Sequence, residues 1–275
     1  MVKYTVDDIY FKAVKKIGGM WEQIVMAPPS VRIVWFLANF TRLTPNKVTV
    51  ISFLVGVISA VAFYLHNYII GAILYELSFM IDTSDGKLSR LLGKSTKTGV
   101  VFDGMLDTLR LFVVSLALSF SYYTLTNNHL IFVYMFTAVF LIMFFAFTSL
   151  FMMYRSGPDP ELDKKMKIES NVKDLNKGLI GKLRNYLRER CRTDLMYSNM
   201  EQEAIMFFFF PILSVFFGLN FVEYGLIIGI ITMSLWILFK YYRFFKKYWN
   251  LPYDRKITLS TTTDSRNQKE GDTLI

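Results

Sequence analysis

The sequence predicts an all-α, polytopic membrane protein with six transmembrane helices and an N-terminal interfacial amphipathic helix. Three observations carry this. Of 275 residues, 53% are hydrophobic and only 19% charged, where a soluble domain carries about a quarter charged residues. Long runs lack Asp, Glu, Lys and Arg altogether. The basic residues fall into blocks that one topology places on a single side.

The uncharged runs define the spans. A bilayer core of about 30 Å takes roughly 20 apolar residues per helix. Val48 to Tyr75 is free of Asp, Glu, Lys and Arg, and so is Leu111 to Tyr154, which is long enough for two spans punctuated at Thr126–His129. Ala204 to Asn220 and Tyr224 to Phe239 form a further pair, separated by Gly218, Asn220 and Glu223. Tyr68 to Ile81 opens a helix whose second half is polar. The expected spans are 47–66, 68–92, 98–125, 130–154, 202–219 and 222–246.

The charges test that reading. Cytoplasmic loops are enriched in Lys and Arg. The connections around Asn67, Asn127 and Asn220 contain neither. All 31 basic residues lie in the N-terminal segment, around 87–110, in 155–192 or after Phe239. Six spans with both termini in the cytoplasm put every one of them on the same side; one span more or fewer breaks the segregation. The net charge of +9 by itself admits nucleic acid or anionic lipid as a partner. The uncharged runs decide for membrane lipids, and no nucleic acid is expected.

Ahead of the first span, Ser30–Phe40 mixes Val31, Ile33, Val34, Trp35, Phe36 and Leu37 with Arg32, after Pro28 and Pro29. This reads as a helix lying in the membrane plane. Residues 1–45 form the expected cytoplasmic N-terminal segment, and 46–249 the six-helix domain. Within that domain, 155–200 is a basic cytoplasmic segment too polar to span, and 250–275 reads as a disordered cytoplasmic tail. The single cysteine, Cys191, excludes an intrachain disulfide and a cysteine-based zinc site. No short apolar stretch followed by a small-residue cleavage site opens the chain, so no secretory signal is expected.

Acidic residues interrupt this apolar frame. The second span ends with Asp82 and Asp85, three apart; the third begins with Asp103 and Asp107, four apart. On helices each spacing places both carboxylates on one face. The short link 93–98 folds the two helices antiparallel, so the two pairs face each other. One such pair alone is commonly a cap or a solvated face. Four carboxylates converging in a membrane protein repel one another unless cations lie between them. Hard oxygen ligands suit Mg²⁺ or Mn²⁺, and two such ions are expected. Gly86 and Gly99 remove side chains where a ligand or a neighbouring helix approaches. Arg90 offers a planar fork for phosphate. Two metals at phosphoryl-transfer spacing would neutralise a diphosphate and polarise the transferred phosphorus.

The run Asp82-x-x-Asp85-Gly86-x-x-Ser89-Arg90, followed by Gly99-x-x-x-Asp103-x-x-x-Asp107, resembles the signature of the CDP-alcohol phosphotransferases. Seven of its eight positions match, the departure being Ser89 where the family usually has Ala. Thr44-Pro45-Asn46-Lys47-Val48-Thr49 is similar to the family as well, and the resemblance runs from about Leu43 to Leu118. It implies a six-helix membrane enzyme, often a homodimer. In that reaction an acceptor hydroxyl attacks the β-phosphate of a CDP-linked donor and CMP leaves. By the family's pattern Asp82, Asp85, Asp103 and Asp107 hold the metals, and Asp107 is also the general base. Gly86, Ser89, Arg90 and Gly99 line the CDP site, with Asn46 and Thr49 nearby. Arg110, three residues after Asp107, and Arg155, at the end of the fourth span, are expected at the acceptor. That acceptor is an alcohol or an alcohol phosphate. Two other classes remain open from the residues alone: an intramembrane prenyltransferase with Asp-rich motifs, and a transporter that uses the acids as a cation site.

Overall fold

The computed structural model describes residues 3–14, 19–156, 186 and 197–248. All regular structure among them is helical. The chain divides into two units, Met1–Ile237 and Leu238–Ile275. The described part of the second is the final turns of the last helix, where Arg243 lies 5.7 Å from the centre of the Phe239 ring.

The first unit begins with α1 (Val6–Ala13), closed by a capping box in which Thr5 and Asp8 exchange hydrogen bonds. A π-helical turn over Trp21–Met26 leads into α2 (Ala27–Phe40). Among the described residues six long helices follow: α3 (Pro45–Tyr64), α4 (Tyr68–Leu92), α5 (Lys97–Thr126), α6 (Leu130–Ser156), α7 (Asn199–Phe217, with a π-helical stretch at Ile205–Phe209) and α8 (Asn220–Tyr248). Both π-helical stretches stand just before prolines, Pro28–Pro29 and Pro211. A proline has no N–H for the i→i−4 ladder, and a local widening of the helix absorbs the mismatch.

Among the described residues, four helices are long and apolar enough to cross a membrane: Pro45–Tyr64, Leu130–Met152, Asn199–Phe217 and Asn220–Lys246. At about 1.5 Å per residue, α4 and α5 have the length too, with 25 and 30 residues. Composition sets them apart, since α4 contains Glu76, Asp82, Asp85, Lys87 and Arg90, and α5 contains Asp103, Asp107 and Arg110. The outward faces of the long helices are apolar, as at Leu54, Ile58, Phe136 and Phe147. The protein is an integral membrane protein.

Helix ends account for the short links. Gly93 takes the left-handed conformation (φ 63°) after α4, and Lys94 N–H returns to the carbonyl of Ser89 at 3.0 Å. Thr96 then caps α5 by accepting from Gly99 N–H at 3.0 Å. Only Lys94 and Ser95 lie between these caps, so α5 starts directly after α4 ends. α3 makes the densest packing, against α4 first and then against α5. One core joins Phe63, Tyr75, Val114, Leu118, Ile131, Phe207 and Leu226. A second, around Ile9, Val31, Val34, Val48 and Leu88, seats α1 and α2 on the end of α4.

The N-terminal segment is more deeply engaged than a helix resting on a surface. Val31 and Val34 are buried and Phe36 and Phe40 exposed. Trp21 Nε1 donates to Glu76 of α4 at 2.7 Å, and Trp21 N–H donates to Glu201 of α7 at 2.9 Å. The tail 250–275 lies outside the described residues, as does nearly all of segment 155–200.

Candidate active site

Of the four acids expected to converge, three meet. Asp82, Asp85 and Asp103 each bring a carboxylate oxygen into one group, all within 4.8 Å of one another. Thr49 of α3 is hydrogen-bonded through Oγ1 to Asp85 Oδ2, so α3 also reaches the cluster. Oδ1 of Asp82 and Oδ1 of Asp103 are buried and accept no hydrogen bond. Buried carboxylate oxygens ordinarily find donors. Three convergent carboxylates, two of them with an oxygen that accepts no hydrogen bond, form a hard, anionic oxygen set, which fits a divalent cation.

Asp107 stands one turn further along α5. It is outside the three-membered group and is 39% exposed. Its Oδ1 is held by Arg110 Nη2 at 2.9 Å. Arg110 itself is 3% exposed. Its Nη1 donates to Ser52 Oγ at 3.0 Å and lies 3.6 Å from Asp82 Oδ1. The guanidinium expected to face an acceptor is thus turned inward, because small residues on α3 and α4 leave room for it there. The backbone of Arg155 belongs to α6, and its side chain lies outside the described residues.

Beside the acids lies a polar cleft of about 160 Å³. Its walls include Asn46 and Thr49 of α3, Asp85, Gly86, Ser89 and Arg90 of α4, and Gly99 and Asp103 of α5. Arg90 Nε donates to the carbonyl of Ala13 at 2.8 Å, which anchors the stem of the fork. Ser89 Oγ donates to the carbonyl of Gly86 at 3.0 Å. A Cβ on Gly99 would stand 2.9 Å from Thr96 Oγ1 and 3.3 Å from Asn46 Oδ1. That glycine lets the capped first turn of α5 sit against α3.

Several contributors escaped the sequence reading. Lys94, Ser95 and Thr96 of the α4–α5 link also wall the cleft. Ser52 and Ser78 face each other across α3 and α4, each hydroxyl donating to the other's backbone carbonyl at 2.9 and 3.0 Å. Their only signal in the sequence is a hydroxyl inside an apolar run.

Residues 42–172 match the family model for CDP-alcohol phosphatidyltransferase. The archaetidylinositol phosphate synthase of Pyrococcus horikoshii is 37% identical over 67 residues, covering 24% of this chain and 36% of that protein. A bifunctional IPC transferase and DIPP synthase from Aquifex aeolicus is 34% identical over 96 residues, covering 34% of this chain and 22% of the relative. Its namesake from Thermococcus kodakarensis is 41% identical over 66 residues, covering 24% and 15%. The chain therefore spans between about a seventh and about a third of the length of these relatives. Every position of the two-helix acidic run lies inside the segment that matches this family model, residues 42–172.

Proposed function

We propose that the protein is a membrane CDP-alcohol phosphotransferase. It transfers a substituted phosphate from a CDP-linked donor, CDP-diacylglycerol or another CDP-alcohol, to an acceptor hydroxyl, in phospholipid or related lipid biosynthesis. The observation that carries this is the convergence of Asp82, Asp85 and Asp103 beside a polar cleft, with Asp107 one turn away. The acids supply the oxygen ligands for Mg²⁺ or Mn²⁺, and Asp107 completes the set if two ions bind. When bound, the cations neutralise the diphosphate and polarise the transferred phosphorus.

The chain's own residues do the rest. Arg90 projects its terminal nitrogens to the donor diphosphate while Nε stays on Ala13. Gly86 and Gly99 keep the walls of the cleft low, and Asn46 and Thr49 border the CDP moiety. Asp107 Oδ2 accepts the proton of the acceptor hydroxyl, Oδ1 being held by Arg110. The acceptor oxygen bonds to the β-phosphorus as the bond to the CMP oxygen breaks, and CMP leaves with that electron pair. The Pyrococcus horikoshii relative is named for an inositol phosphate lipid, so an alcohol phosphate heads the list of acceptors to be tried.

In this reading α3 to α8 make six spans, with α2 at the interface. Both termini and the acidic cleft face the cytoplasm, which agrees with the segregation of Lys and Arg. Reporters at Asn67, Asn127 and Asn220 then lie outside, and those at Lys94 and Lys173 inside. The decisive assay is CMP release by the purified protein in nanodiscs, across CDP-donors paired with alcohols and alcohol phosphates. Release that needs both substrates and a divalent cation is expected. Consumption of a prenyl diphosphate, or cation flux without CMP release, would replace the assignment.

A further inference from the structure

Arg110 is a buried cation that reaches two of the acids, Asp107 and Asp82. Nη2 holds Asp107 at 2.9 Å, and Nη1 meets Ser52 Oγ at 3.0 Å, Ser78 Oγ at 3.4 Å and Asp82 Oδ1 at 3.6 Å. The guanidinium lies over the Phe79 ring, 5.0 Å from its centre. A Cβ on Gly56 would stand 2.7 Å from both Cγ and Cδ of Arg110, so α3 is hollowed at one residue to admit the stem. Beyond it lies the Tyr75–Glu203 pair, at 2.5 Å, within electrostatic reach of the guanidinium. Glu203 belongs to α7, outside the segment 42–172.

We infer that Arg110 is a positioning residue: it fixes the Asp107 carboxylate by Oδ1 so that Oδ2 faces the acceptor hydroxyl, while countering the charge of Asp82. The inference rests on the function proposed above. Both arms of the fork are already engaged by protein groups, and the side chain is 3% exposed. A substrate phosphate would have to displace Asp107 to reach it. A planar fork can hold Asp107 with one nitrogen and the two serines with another. A lysine ammonium at this site is one point charge without that fixed geometry. The polar layer beneath, through Tyr75 and Glu203, ties this orientation to α7. The site thereby depends on a helix that carries none of the acidic motif.

The test uses the full chain in nanodiscs and three kinds of change. Gly56→Ala alters no charged or polar group but pushes the Arg110 stem. Misplacement of about 1 Å can cost about a hundredfold, so kcat should fall by roughly 10- to 100-fold in Gly56→Ala and in Arg110→Lys. Donor KM, acceptor KM and Mn²⁺ affinity, read by electron paramagnetic resonance, should stay within about threefold, a change of less than ~1 kcal/mol. In an Asp107→Asn background, Arg110→Gln should cost almost nothing further, because the group it positions is gone.

Wild-type kcat in folded Gly56→Ala and Arg110→Lys would overturn the inference, as would full multiplicative losses in the double variant. A rise in acceptor KM with kcat unchanged would make Arg110 an acceptor ligand instead. Parallel collapse of Tm, Mn²⁺ affinity and kcat would make it a packing residue only. Absence of CMP release from a wild type that melts cooperatively and binds Mn²⁺ would instead remove the function beneath the inference.

Discussion

At the end of the first unit where α4 begins and α5 finishes, the buried Tyr68, Ser121 and Tyr122 are matched with half-buried or exposed polar groups. Ser121 Oγ donates to Tyr68 Oη at 3.0 Å and lies 2.8 Å from His66 Nδ1. Glu223 accepts from Tyr122 at 2.9 Å and from Asn128 at 3.1 Å. At the other end of the same two helices, Asp82, Asp85 and Asp103 converge with two buried oxygens that accept no hydrogen bond. Burying polar atoms is unfavourable unless partners replace water. The first end obeys that rule and fastens helices together. The second violates it with like charges, an arrangement that stability alone would remove. Polar residues in membrane helices are thus of two kinds, separated by whether their partners lie within the protein.

Breaking the acidic end should have the largest effects. A chelator should abolish CMP release, and Mg²⁺ or Mn²⁺ should restore it. Asp82→Ala or Asp103→Ala should reduce turnover by at least about 10²–10³-fold, the scale for losing a main electrostatic contributor to a transition state. Calorimetric Mn²⁺ binding should weaken in the same variants. Undiminished turnover in either would mean that the acids do not share a cation.

Asp107→Asn comes next. Loss of a general base typically costs about 10²–10⁴-fold, so turnover should fall by at least about a hundredfold while donor binding, measured by calorimetry, falls far less. If donor binding disappeared instead, Asp107 would be a ligand only. Arg90→Ala should show the opposite emphasis. A hydrogen bond to a charged group contributes about 1.5–3 kcal/mol, so donor KM should rise about 10- to 100-fold with a smaller change in kcat.

The matched end should answer in stability and not in chemistry. Glu223→Ala leaves the Tyr122 hydroxyl and Asn128 amide without their acceptor. It should destabilise the protein by about 1–3 kcal/mol, read as a lower Tm in detergent, with kcat per folded molecule unchanged. A large loss of kcat there would blur the distinction between the two ends. The smallest effect is expected at Ser89, whose hydroxyl donates to the Gly86 carbonyl. Ser89→Ala should change the rate by less than about tenfold, or ~1.4 kcal/mol.

Much of this was legible in the residues. The helix limits expected at 68–92 and 98–125 match α4 (Tyr68–Leu92) and α5 (Lys97–Thr126), although neither is apolar enough to stand among the four candidate spans. Apolar length and the turn chemistry of Gly93 and Thr96 are local properties, so they survive tertiary packing. The convergence of Asp82, Asp85 and Asp103 was legible for the same reason, because spacing fixes a helix face and a short link fixes which faces meet. Arg110 was not legible. Its register also places it on the face of the acids, yet a long side chain reaches about as far inward as outward. The choice fell to Gly56, Ser52 and Ser78 on other helices.

The sequence by itself thus determined the helices, their apolar faces and the acidic signature, all of which follow from periodicity along one chain segment. Only the tertiary structure decided that Trp21 would reach Glu76, that Tyr75 would pair with Glu203, and that Arg110 would serve Asp107 from below. Each of those contacts joins residues that are far apart in sequence or that lie in a space bounded by three helices. Close packing settles such contacts by shape, since one Cβ at Gly56 would deny Arg110 its place.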